Sequence, residues 1–186
     1  KFSLERLNPS PAAINFTKFD YFNGLHIRSL EYEDLARRIK PFFIRAGYTV
    51  DDDKLVKIAR VLKDRLQGLD DAPVLAGFFF REQIEYDPQD LLIEGLARQE
   101  TIALARKVTA LLESLPDMKS ETAEPPMRAL VDESGLKAGQ VFGLMRIAIT
   151  GQRVSPPLFE SMEIIGKELV VRRMKMAVEL LEQMAD

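Results

Sequence analysis

The chain has 186 residues, no cysteine, one histidine and a net charge of −3, with 46% apolar and 30% charged residues. That composition suits a folded soluble protein with its own core and excludes disulfides, thiolate metal sites and a histidine-rich metal centre. No apolar run reaches the roughly 20 residues that span a bilayer, the N-terminus "KFSLERLNPS" lacks the apolar heart of a signal peptide, and the acidic balance disfavours a general nucleic-acid binder while leaving room for a local basic face.

Apolar residues recur at helical spacing along most of the chain, and β-branched alternation is nearly absent, which predicts an all-α fold. Ser10 and Pro11 suit the N-cap and first position of a helix that closes at Asn23-Gly24. A second helix covers "YEDLARRIKPFFIRAG", with Pro41 expected to kink or split it and Gly47 to stop it. A third follows Asp51, a suitable cap, and its apolar stripe is Leu55, Ile58, Leu62 and Leu66. Lys54, Lys57, Arg60 and Lys63 spread over the remaining surface. At about 100° per residue, Arg65 falls at the edge of the stripe.

The aromatic-rich "DDAPVLAGFFFREQIEYDP" reads as a short helix and a connection at Tyr86-Asp87-Pro88, the preferred boundary between two helical units. Beyond it the pattern predicts helices over 89–96 and 98–115, then a polar connector. Four short helices follow behind glycine stops: one from Pro125-Pro126 to Gly135, one ending at Gly151, one from Pro156-Pro157 to Gly166, and a last over 167–185. Val170, Met174, Val178 and Leu181 share one side of the last. Prolines cost little among the first helical positions, whose N–H groups have no intrahelical partner.

Hydrolytic and nucleotide chemistry find no support. His26 has neither a cysteine nor a G-x-S-x-G serine to work with, and no phosphate-binding glycine loop is present. The acidic runs Asp51-Asp52-Asp53 and Asp70-Asp71 sit where helix caps belong. The basic groups Arg37, Arg38, Lys40 and Arg45, then Arg98, Arg106 and Lys107, then Lys167, Arg172, Arg173 and Lys175, read as solvated helix faces. Arg146 differs. It sits among Leu144, Met145, Ile147, Ala148 and Ile149, so it needs a partner or an exit to solvent. A structural bond and a ligand contact both satisfy that need. Ser155-Pro156-Pro157-Leu158 offers either an ordinary serine cap or an anion-friendly helix start with rigid apolar edges that can support an unstacked base.

"LMRIAITGQRVSPPLFESMEIIGKE" resembles the C-terminal signature of bacterial glutamyl-tRNA synthetases: an arginine in an apolar helix, Thr-Gly, a Ser/Thr-Pro turn, Leu-Phe, and an Ile-Gly-Lys-Glu segment. "FTKFDYFNGLHIRSL" and "LARRIKPFF" are similar to earlier blocks of the same family in the same order. His26-Ile27 stands where Tyr-Ile is usual, and Tyr21-Phe22 where a tryptophan-containing pair is common. The family's nucleotide-binding half, with its His-x-Gly-His-type motif and Lys-Ser-Lys loop, has no counterpart in these residues. The resemblance implies a helical bundle followed by an α-helix cage that holds the tRNA anticodon loop. Residues 1–30 would be the tail of the stem-contacting domain, 31–88 the first helical subdomain and 89–186 the second. Arg146, Ser155, Pro156 and Leu158 fall at the family's anticodon-contact positions. Arg65 falls where some members carry an arginine that reads the last anticodon base. The implied partners are the glutamate tRNA and the chain's own catalytic domain, with a cytoplasmic address and a monomeric state. ATP and Mg²⁺ would belong to the full-length enzyme and no cofactor to this part, which would not be an enzyme by itself. The rival readings are a helical protein-interaction module and a regulatory synthetase paralogue without tRNA charging.

Overall fold

A computed structural model describes residues 16–184, in which no strand occurs. The helices are α1 (Phe16–Ser29), α2 (Tyr32–Arg45), α3 (Asp52–Leu62), α4 (Ala72–Ala76), α5 (Arg98–Ser114), α6 (Ser120–Ser134), α7 (Ala138–Thr150), α8 (Leu158–Ile165) and α9 (Lys167–Gln183). None among the described residues is long and apolar enough to cross a membrane.

Two buried clusters organise these helices. The first gathers the inner faces of α2, α3 and α4 with the 3₁₀ turn Gly77–Phe80, around Leu35, Ile39, Phe43, Ile58 and Phe79. The third helix forms as its sequence dictates: Asp51 Oδ1 accepts from Lys54 N at 2.8 Å, and Leu55, Ile58, Leu62 and Leu66 are all buried. The second cluster gathers α5 to α9 around Val108, Leu112, Met127, Met145, Met162 and Met174. Ile165, near the end of α8, packs against both clusters.

Several boundaries differ from expectation. The first helix runs through Asn23-Gly24 to Ser29, where Asn23 Nδ2 donates to the Gln67 carbonyl at 2.7 Å and anchors it to the first cluster. Ser10 and Pro11 lie outside the described residues. Pro41 sits inside an uninterrupted α2. The stretch 89–96 is a 3₁₀ turn, Pro88–Leu91, followed by irregular chain. Leu91 and Ile93 are buried there without a helix, and Gly95 takes φ +86°. Pro125 and Pro126 lie within α6, which begins at Ser120, rather than at its start. Local pattern alone did not reveal that extra turn, which buries Ala123 ahead of the prolines.

On α1, Phe19, Tyr21, Phe22 and Leu25 are exposed, between 43% and 62%, and leave a broad apolar face uncovered.

Candidate nucleic-acid interface

Gly151 ends α7 in the left-handed region, at φ +72°. Only a residue without a Cβ fits: an added Cβ would stand 2.4 Å from Ile84 Cγ2 and 3.3 Å from the Glu85 carbonyl oxygen. The turn after α7 therefore lies directly against the segment that closes the first unit. Gln152 Nε2 donates to the Val74 carbonyl at 2.8 Å across the same seam.

Arg146 turns back into the protein. Its Nη1 donates to Ser155 Oγ (2.5 Å), the Pro156 carbonyl (2.9 Å) and the Ser155 carbonyl (3.3 Å). The Ser155 hydroxyl in turn donates to the Pro156 carbonyl at 2.9 Å. The serine thus shapes the turn and does not cap α8, whose N-cap is Pro157 with no side-chain bond. Burial, then the charge of Arg65, lower the Arg146 pKa. The two arginines are close enough to feel each other.

Ser155, Pro156 and Leu158 are buried. The apolar edge open to a ligand is instead Pro157, half-buried, and Val154, 74% exposed. Pro157 lines a cleft of about 550 Å³ with Glu160, Arg60, Val61, Asp64 and Arg65. The cleft forms because α8 packs on α3. Arg65 is exposed there, and its guanidinium makes no hydrogen bond or ion pair among the described residues. The five residues singled out by sequence are thus brought together around one cleft, but with different orientations: Arg65 faces it, Arg146 braces its wall, and Ser155, Pro156 and Leu158 form the wall's interior.

Sequence reasoning missed Arg173. The sequence pattern places it with solvated lysines and arginines, yet it is 1% exposed. Its guanidinium donates to the carbonyls of Ile149 (2.6 Å), Phe78 (2.8 Å) and Arg81 (2.5 Å). Burial, chiefly, pushes its pKa down to about 10, which leaves it charged at neutral pH. It ties α9, the end of α7 and the first unit's last turn into one body. The signal was weak: at about 100° per residue, 173 falls at the edge of the stripe that 170, 174 and 177 form on α9. Six other members of the predicted basic faces are neutralised locally, Arg37 and Arg38 by Asp34, Lys40 by Asp52, Arg106 by Glu182, Arg172 by Glu82 and Lys175 by Glu113.

Among the described residues, no group of three or more His, Cys, Asp or Glu could hold a metal ion.

Glutamate–tRNA ligases from Dehalococcoides mccartyi and Roseiflexus castenholzii are 35% and 38% identical over 98% and 97% of the chain. The chain spans 39% and 37% of those relatives' length. A solved glutamate–tRNA ligase from Elizabethkingia meningosepticum, crystallised with its amino acid, superposes with a TM-score of 0.78 at 25% identity, over 96% of this chain and 35% of that one. The family model described as "anticodon binding domain" matches residues 34–178, and the chain belongs to that family.

Proposed function

We propose that this chain is the anticodon-recognising part of a glutamate–tRNA ligase, and that it reads tRNA at the cleft between the ends of α3 and the α7–α8 turn. The observation that carries the reading is the cleft itself: an exposed, unpartnered arginine, Arg65, opposite the rigid edge of Pro157. An unstacked base fits such a place, with a guanidinium to read its edge and an apolar ring to support its face. Arg146 contributes by bracing the wall, and its Nη2 and Nε, which make no hydrogen bond among the described residues, remain able to donate to RNA. Ser155, Pro156 and Leu158 act through the shape they impose on the turn.

In this reading the two buried clusters correspond to subdomains 31–88 and 89–186, and the partner RNA is the glutamate tRNA. The uncovered face of α1, with Phe19, Phe22 and Leu25, suits packing against the stem-contacting and catalytic parts of a longer ligase. ATP and Mg²⁺ belong to those parts, and the address is cytoplasmic.

The test is a titration of the chain with anticodon stem-loops of the glutamate tRNA that differ only at the third anticodon base. Tighter binding of the matched loop, by about 1–3 kcal/mol, supports base reading at the cleft. Equal affinity for all loops, or binding that does not weaken with salt, refutes it and favours a protein-interaction module.

A further inference from the structure

Many basic residues of this protein are bonded to carboxylates, as the six pairs at Asp34, Asp52, Glu182, Glu124, Asp90 and Glu82 illustrate. Along α3 and its end four cations cluster that have no carboxylate or carbonyl partner among the described residues, Lys57, Arg60, Lys63 and Arg65, although Asp64 and Glu160 stand beside the same cleft. Arg60 and Lys63 are instead placed over one ring: Arg60 Cζ lies 5.4 Å and Lys63 Nζ 4.7 Å from the centre of Tyr32. An aromatic face orients cations without cancelling their charge. Tyr32 is held on the first turn of α2, and α2 packs along α3, so the ring presents both cations from a fixed base. Arg60 also lines the cleft that Arg65 occupies, so the strip and the cleft are continuous.

From this we infer that Tyr32, Lys57, Arg60 and Lys63 form a binding strip for the RNA sugar–phosphate backbone next to the anticodon bases. The inference rests on the proposed reading of the cleft, and it assigns a different job to different residues. Arg65 discriminates bases, whereas the strip supplies affinity that is blind to sequence. An unpaired cation keeps its full charge for a phosphate. A cation already bonded to a carboxylate would first have to give that bond up.

The experiment measures how affinity of the chain for glutamate-tRNA stem-loops depends on salt, for the unaltered chain, for R60Q/K63Q, and for R106Q/R128Q. The last pair removes the same charge from cations that have carboxylate partners, Glu182 and Glu124. At about −0.7 per phosphate for single-stranded RNA, losing two contacts should make the log–log slope shallower by about 1.4 in R60Q/K63Q. R106Q/R128Q should leave the slope as it is. R60Q/K63Q should also weaken binding by the same factor for loops with matched and altered third bases. An unchanged slope in R60Q/K63Q, an equal change in R106Q/R128Q, or a loss confined to the matched loop each overturns the strip. If the unaltered chain distinguishes the loops and the slope still does not move, only the strip falls. If the unaltered chain fails to bind or to distinguish them, the reading of the cleft falls with it.

Discussion

The α7–α8 turn and the end of α3 form opposite walls of one cleft, and they treat their arginines in opposite ways. On the turn, Arg146 spends its Nη1 on Ser155 and Pro156. At the end of α3, Arg65 has solvent in front of it and no bonded partner among the described residues. An arginine that completes a wall contributes through rigidity. An arginine with no internal bond can offer its donors to a base without giving any up, which is what discrimination needs, because a reading residue must leave something unsatisfied when the wrong base arrives. The sequence motif located the cleft through the first kind of residue, and the second kind does the proposed reading.

This division makes the turn the place where substitutions should damage folding. The largest effect is expected at Arg173→Met. That change keeps much of the volume and strands three carbonyls, at Ile149, Phe78 and Arg81, in the interior. A loss of about 3–5 kcal/mol in urea unfolding follows from unsatisfied buried groups. Stability within 1 kcal/mol of the unaltered chain would show that the seam is not a support. Gly151→Ala comes next. It forces a Cβ into a left-handed position and against Ile84, for about 2–4 kcal/mol combined. Arg146→Ala should cost about 1–3 kcal/mol of folding stability, because it strands the Ser155 and Pro156 acceptors of Nη1. If Arg146→Ala leaves stability intact yet weakens RNA binding, the comparison breaks, and Arg146 is a reader after all.

Much of this was legible in the chain. The all-α class, the cap at Asp51 and the stripe from Leu55 to Leu66 follow from local rules, because caps and amphipathic faces are decided within a few residues. The glycine stops at Gly135 and Gly151 follow for the same reason, since both take left-handed backbone. What failed depended on distant partners. Pro125-Pro126 reads as a helix start unless one knows that Ala123 is needed in the core. Arg173 reads as surface unless one knows that three carbonyls from Ile149, Phe78 and Arg81 converge on it. Carbonyls are present in every residue, so no residue letter announces them. The direction of Arg146 was hidden in the same way: its acceptors include two backbone oxygens.

The smallest effect on folding is expected at the residue with the largest proposed effect on specificity. Arg65→Gln removes a charge from an exposed side chain that bonds to nothing among the described residues, so stability should stay within about 0.5 kcal/mol. It should also relieve the Arg65 repulsion, the lesser cause beside burial of the lowered Arg146 pKa, a change too slight to reshape the turn. Against stem-loops differing at the third anticodon base, the same variant should lose most of the discrimination, about 1–3 kcal/mol, with the matched loop weakened and the mismatched loops little changed. A uniform loss across all loops would move Arg65 into the sequence-blind strip with Arg60 and Lys63. Undiminished discrimination would remove it from the interface altogether and return the reading role to the half of Arg146 that its own protein leaves unbonded.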